Sequence, residues 1–215
     1  MQIKLFHLAL CMTLSLLVAC ASSAGSRDLW SAKSIVFSDN KQGTASEHVT
    51  LEMKNHRAVG SVNRLLIQKL IDINQKISQL AGVTTQIYLT NRGEPQANAY
   101  AAHIHNQHII AINFKMLAML GSDEGMYAAL IAHEISHIVH QDKVNVLLNK
   151  KQEEQADKLG VRLMLEAGYS AESALSFYTL LATTPANKQP FFSSHPSSKK
   201  RLQYVRESIL KFKQK

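Results

Sequence analysis

The chain has 215 residues, 46% of them apolar and 19% charged, with a formal net charge of +8. That length and balance suit one domain with a real core, or a domain plus tails, and exclude disordered and collagen-like classes. With Lys4 set aside the excess is +7, and residues 186–215 alone carry +7, from eight bases against the single acid Glu207. The excess is therefore a C-terminal feature, read as a solvated helix face or as contact with an anionic membrane surface. No nucleic-acid motif accompanies it, and no nucleic-acid partner is expected.

The N-terminus is set apart first. Lys4 precedes an apolar stretch from Leu5 to Val18. That stretch is shorter than the ~20 residues of a membrane-spanning helix and has the proportions of a secretory signal peptide. It ends in Leu17-Val18-Ala19-Cys20, followed by a polar ASSAGS stretch. The segment is similar to a bacterial lipobox, in which the Cys is lipidated and becomes the first mature residue. The other reading is an ordinary signal peptide cleaved near Ala21–Ala24. Ala21 rather than Asp after Cys20 implies, by the same resemblance, the outer membrane. The expected organisation is a signal peptide over 1–19, a lipidated N-terminus and tether over 20–47, and a folded domain over 48–215. Cys11, inside the signal, is the only other cysteine. The mature chain therefore has no internal disulfide and no thiol pair for a metal, leaving His and carboxylates as ligands.

In chain order, apolar residues recur at helical spacing from about Val49 to Ala81, with Gly82 as the stop. TQIYLT over 85–90 reads as a strand, and 98–105 with 108–113 as two more strands joined by a tight hairpin. A short helix covers 114–120. Ser122 can cap the next helix, whose acidic start at Asp123 and Glu124 suits the positive helix end, and which extends to about Gln141. Further helices are expected over about 144–167, 171–182 and 197–213. The sum is an α+β fold, mostly helical, with a small antiparallel or mixed sheet beside the helix that carries the chemistry.

That helix holds LIAHEISHIVHQD, residues 130–142. Histidines and a glutamate inside an apolar run are costly unless something binds them. His133 and His137 are four apart, hence on one helix face in successive turns. Two imidazoles so placed suit one Zn²⁺, and Glu134 beside the first can reach a zinc-activated water as general base. His140 is excluded as third ligand, because seven residues of helix rise by ~10 Å. The turn that other zinc peptidases make at a Gly three residues after the second His is also absent, since His140 stands there. His140 is expected to pack or to line the cleft. In KKQEEQADKLG, Glu153 and Asp157 share a helix face. A helix laid beside the first could present Glu153 to the metal, with Glu154 as competitor. Asp157 would accept a hydrogen bond from the free ring nitrogen of His133 or His137. His103, His105 and His108 cluster around the hairpin, with His103 and His105 on one strand face, as solvated turn residues or as accessory metal or cleft-lining groups.

HExxH followed by ExxAD resembles the gluzincin zinc metallopeptidases of the CAAX-prenyl-protease and HtpX type, which include lipoproteins of the bacterial periplasm. The resemblance covers about residues 60–213. It implies a zincin-like fold and one Zn²⁺ per chain. Asn98, Ala99, Tyr100 and Ala101 would be an edge strand holding substrate backbone, His195 a group near the zinc that stabilises the oxyanion or occupies the open position, and Arg201 an ion-pair partner of Asp157. It further implies an endopeptidase for misfolded or unassembled envelope proteins, anchored at the outer membrane and facing the periplasm. Only fifteen residues separate His137 from Glu153, where many relatives carry a longer insert. The cleft is thus expected to be more open, or covered by a membrane-protein or other partner. A low-activity, chaperone-like adaptor with a latent metal site is the alternative function.

Overall fold

The computed structural model describes residues 29–37, 47–52, 58–92, 96–142, 149–184, 195 and 199–214. The signal peptide, Cys20 and the segment up to residue 28 lie outside the described residues. Among those described, no helix is long and apolar enough to cross a membrane.

The first elements are a short strand β1 (Leu29–Ser31) and a helix α1 (Ala32–Phe37). β1 pairs antiparallel with the later strand of TQIYLT, Trp30 opposite Leu89, and Ala32 and Ile35 are buried in the main core. This corrects the expected tether over 20–47: its middle belongs to the folded domain. Trp30 also meets Phe114, ring centroids 5.9 Å apart, a distance typical of tilted aromatic pairs.

The helical spacing from Val49 to Ala81 is interrupted by an antiparallel pair, β2 (His48–Glu52) and β3 (Ala58–Asn63). The helix α2 begins only at Arg64 and ends at Ala81. The Asn63 side chain caps it, accepting from the Leu65 and Leu66 amides at 2.8 and 3.2 Å, and Gly82 closes it at φ 67°. Both are ordinary helix-end chemistry. Ile67, Leu70, Ile73 and Ile77 form its buried stripe, and the β-branched HVTLE and AVGSVN segments before Asn63 favour strands over helix.

The main sheet has four strands in the order β1-β4-β6-β5, where β4 is Thr85–Thr90, β5 Ala99–Ile104 and β6 Gln107–Asn113. β4 and β6 run parallel and the other pairs antiparallel, so the sheet is mixed. β5 lies at its edge. The hairpin turn is His105–Asn106, both at positive φ (48° and 60°), one residue earlier than the expected Asn106–Gln107. Two left-handed residues are the signature of the hairpin turn that matches strand twist.

The helices α3 (Phe114–Leu120), α4 (Glu124–Val139), α5 (Lys150–Glu166), α6 (Ala171–Thr183) and α7 (Lys199–Lys213) complete the chain. α4 is capped by Asp123, not Ser122, through bonds from the Gly125 and Met126 amides. It is buried continuously from Tyr127 to His137, against α2, α5, α6 and the strands β5 and β6. A helix surrounded on all sides needs apolar residues around its whole circumference. That is why its few polar side chains stand out. The α+β, mostly helical architecture matches the expectation.

Candidate metal centre

Two helix turns supply the first donors. His133 and His137 rings lie 4.7 Å apart, nearly perpendicular, with their Nε2 atoms 3.1 Å from each other. Both rings are fully buried. Each Nδ1 is tied down by a carboxylate: His133 Nδ1 lies 3.0 Å from Asp157 Oδ1, and His137 Nδ1 2.8 Å from Asp142 Oδ2. Carboxylates on both Nδ1 atoms leave the two Nε2 lone pairs facing one another. At that distance the arrangement is repulsive unless a proton or a metal ion stands between them.

α5 brings the third donor. Asn149 and Gln152 form a reciprocal capping box at its start, which places Glu153 in the helix's first turn. Gly160, on the same face, permits the approach. A Cβ there would come within 3.0 Å of the His133 amide nitrogen and 3.1 Å of the Ala132 carbonyl carbon. With the helix backbones this close, Glu153 Oε1 reaches to 3.4 Å from His137 Nε2 and Oε2 to 3.6 Å from His133 Nε2. Glu154, the competitor, is instead engaged with Lys158 near the surface.

His195 adds a fourth. Its Nδ1 is 3.3 Å from His133 Nε2 and 2.9 Å from Glu153 Oε1. One ligand atom from each of His133, His137, Glu153 and His195 falls within a 4.8 Å span, and all four residues are buried. A tetrahedral Zn²⁺ with ligands at 2.0–2.1 Å sets neighbouring donors roughly 3.3–3.4 Å apart. The observed 2.9–3.6 Å separations bracket that value. Glu134 Oε1 is a buried atom without a hydrogen bond, whereas Glu153 Oε2 has its ion pair with Arg201. A buried acceptor without a hydrogen bond beside converging imidazoles is what a bound cation resolves. The donor set fits zinc.

Glu134 stands just outside this set. Its Oε2 accepts from the Ala101 amide at 2.9 Å, while Oε1 lies 3.6 Å from His195 Nε2. Arg201 closes the far side. Its Nε and Nη2 donate to the two oxygens of Asp157 at 2.8 and 2.6 Å, and Nη1 pairs with Glu153 Oε2 at 3.0 Å. The fork is the strong bidentate kind.

The electrostatics follow from this packing. Burial opposes charge on Asp157, but Arg201 and the hydrogen bond to His133 outweigh it and hold the carboxyl below its usual range. Glu153 is likewise kept well below the carboxylate range, because hydrogen bonds from His137 and His195 overcome its burial. Burial alone would favour neutral His137, yet Glu153, Glu134 and Asp142 raise it to about 9. Burial lowers His133, with Asp157 only partly offsetting it. Three carboxylates around His137 thus reserve a place for positive charge.

The expected strand is present. Ala99, Tyr100 and Ala101 lie on β5, with Asn98 just before it, hydrogen-bonded through its amide to Asn113 Oδ1. The Ala101 amide leaves the sheet toward Glu134, so the register places the backbone groups of Ala99, Ala101 and His103 on the free edge, and those of Tyr100 and Ala102 toward β6. Of the four, Asn98, whose amide and carbonyl are both bonded to Asn113, and Tyr100 therefore cannot hold an extended chain by their main chain. His140 is corrected outright: it is the exposed C-terminal cap of α4 and neither packs nor lines the centre. His103 and His105 do not share a strand face, because His105 is in the turn. Two functional residues were not foreseen. Asp142 anchors His137, and an Asp five residues after the second His was its only trace. Gly160 sets the interhelix distance, and a Gly inside a helical pattern was the available signal.

The sequence profile of peptidase family M48 matches residues 66–149 and 143–209, which include every donor of the centre. Comparison with curated proteins finds no match.

Proposed function

The chain belongs to peptidase family M48 and is a zinc metallopeptidase; on that premise we propose that it is an endopeptidase of the bacterial envelope, anchored by lipid at Cys20 and facing the periplasm. The observation that carries the catalytic part is the buried Glu134 Oε1, which has no hydrogen bond, beside the four-donor cluster. His133, His137 and Glu153 would hold the metal. When bound, zinc supplies Lewis acidity that activates water and polarises a peptide carbonyl. Glu134 takes the proton at Oε1 and later returns it to the leaving amine. The Ala101 amide on Oε2 aims the carboxylate. Asp157 and Asp142 hold the two imidazoles in the tautomer that offers Nε2, and Arg201 neutralises the buried carboxylates behind them. His195 would hold the developing oxyanion, and the free edge of β5 would bind extended substrate backbone by strand addition. An edge that reads backbone suits unfolded chains, which supports misfolded or unassembled envelope proteins as substrates. The lipobox-like Leu17–Cys20 segment supports the outer-membrane location.

The deciding experiment is Glu134→Gln in the zinc-loaded protein. Chelator-sensitive cleavage of casein should fall by roughly 10²–10⁴-fold, the usual worth of a general base, with zinc content unchanged. Wild-type activity toward casein but not toward a folded protein would fit the quality-control role, and Cys20→Ala should release the chain from the membrane fraction.

A second reading has its own observation. His195 Nδ1 lies within the donor set, 3.3 Å from His133 Nε2. A fourth protein ligand there leaves no open position, as in structural zinc sites. In that case the chain is a low-activity, chaperone-like adaptor. His195→Ala then creates chelator-sensitive cleavage that wild type lacks; under the peptidase reading it lowers an activity already present.

A further inference from the structure

The hairpin between β5 and β6 places two more imidazoles side by side, away from the zinc centre. The His105–Asn106 turn fixes the register, with Ile104 opposite Gln107 and His103 opposite His108. Hydrogen-bonded and non-hydrogen-bonded pairs alternate along the hairpin, and the Ala101 amide points away to Glu134. Ala101–Ile110 and His103–His108 are therefore non-hydrogen-bonded pairs, the kind in which facing side chains stand closest. The two rings lie 4.8 Å apart, tilted by 35°.

That spacing is an ordinary one for facing rings on paired strands, and it also fits rings sharing an ion. An imidazole bound at 2.0–2.1 Å has its centroid roughly 3.2 Å from the metal, so two rings at 90–110° stand roughly 4.5–5.2 Å apart. The molecule carries its own standard: His133–His137 and His133–His195 are 4.7 and 5.1 Å apart. Both hairpin histidines are exposed, and among the described residues no carboxylate is bonded to their rings. They open onto a cavity of about 490 Å³ whose wall also includes Val139, Gln141 and Asp142. Asp142 adds negative charge there, although its two oxygens are already committed to His137 and Gln152.

We propose that His103 and His108 form a second metal site, an exchangeable one for a borderline divalent cation such as Cu²⁺ or Zn²⁺, completed by water. Two imidazoles on adjacent strands chelate without reorganising the backbone, because the turn has already set their separation. Water completes the sphere, so the ion exchanges freely, unlike one in the buried centre. The site lies at the end of the β5 edge, next to the cavity that reaches the Asp142–His137 bond, so an ion there adds positive charge beside a zinc ligand's anchor.

The test uses the zinc-loaded protein and Cu²⁺, which stands highest in the divalent affinity order. Calorimetric titration should find one added Cu²⁺ per chain with zinc retained, and paramagnetic resonance should show hyperfine coupling from two nitrogens. His103→Ala and His108→Ala should each weaken that binding by roughly tenfold or more, about 1.4 kcal/mol, and reduce the coupling to one nitrogen. His105→Ala should leave it unchanged. Circular dichroism of each variant separates loss of ligand from loss of fold, and His108→Phe, which fits a strand, gives a second non-ligating variant. The proposal is overturned if no Cu²⁺ binds beyond the zinc, if binding survives in both alanine variants, or if only His105→Ala removes it.

Discussion

Gly160→Ala separates local helix preference from interhelix packing. In an exposed helix the change would stabilise by about 1 kcal/mol, since Gly is that much worse than Ala. Here the added methyl would lie 3.0 Å from the His133 amide nitrogen and 3.1 Å from both the Ala132 carbonyl carbon and His133 Cα. Ordinary contact begins near 3.4 Å, so α5 and α4 must part by about 0.4 Å. The atoms in the way are backbone of a helix buried on all sides, which cannot turn aside as a side chain would. Overpacking of this kind costs about 1–3 kcal/mol, and after the helix gain the net loss is about 1 kcal/mol. For a chain of this size that lowers the melting temperature by about 2–4 °C. The same displacement moves Glu153 relative to the imidazoles of α4, so zinc affinity should fall as well. Differential scanning calorimetry of zinc-loaded protein, with a competitive zinc titration, measures both. A melting temperature that rises by about 2–4 °C with unchanged zinc affinity would refute the packing argument, because helix preference alone would then account for the site.

Other expectations rest on the same geometry. Asp142→Asn keeps the shape but weakens the acceptor on His137 Nδ1, and zinc affinity should drop by about 10–100-fold, read with a chromophoric chelator. Arg201→Met leaves Asp157 and Glu153 buried without their cation and should destabilise by about 3–5 kcal/mol in urea unfolding. Removal of zinc by a chelator should lower the melting temperature, and the shift should shrink as free zinc approaches the dissociation constant. In the metal-free protein the two flanks of the stability profile have different origins. Asp157, depressed by Arg201, contributes above its unfolded value of about 3.8 and loses that contribution as pH falls. His137, raised to about 9, contributes fully below about 6.5 and loses it as pH climbs through 9. Urea midpoints measured from pH 3 to 10 should therefore fall at both ends, and Arg201→Met should flatten the acid flank.

The chain itself determined the chemistry. His133, Glu134 and His137 belong to one helix, and a helix converts a spacing of four residues into a shared face whatever surrounds it. The strand at 85–90, the hairpin and the α+β class were legible for the same reason, since periodicity and turn chemistry act over a few residues. Other features depended on contacts between distant segments. The helical spacing before Asn63 disguised the β2–β3 pair, because apolar residues in a short run fit either period and pairing decides between them. The pairing of β1 with β4 drew Leu29–Phe37 out of the expected tether; the stretch LWSAKSIVF is mostly apolar, but a run this short does not say which partner sixty residues away it pairs with. The sequence favoured Glu153 with Glu154 as its competitor, since adjacent residues on one helix differ only by rotation. The choice was decided by where α5 lies against α4, and that by the missing side chain of Gly160. Likewise Asp157 serves His133 while Asp142 serves His137, and His195 arrives as a fourth donor. Residue types and local spacing select which ion and which reaction are possible. The meeting of donors from α4, α5 and His195 at one point is a property of packing, because only close contact between elements remote in sequence can bring such groups within a few ångströms.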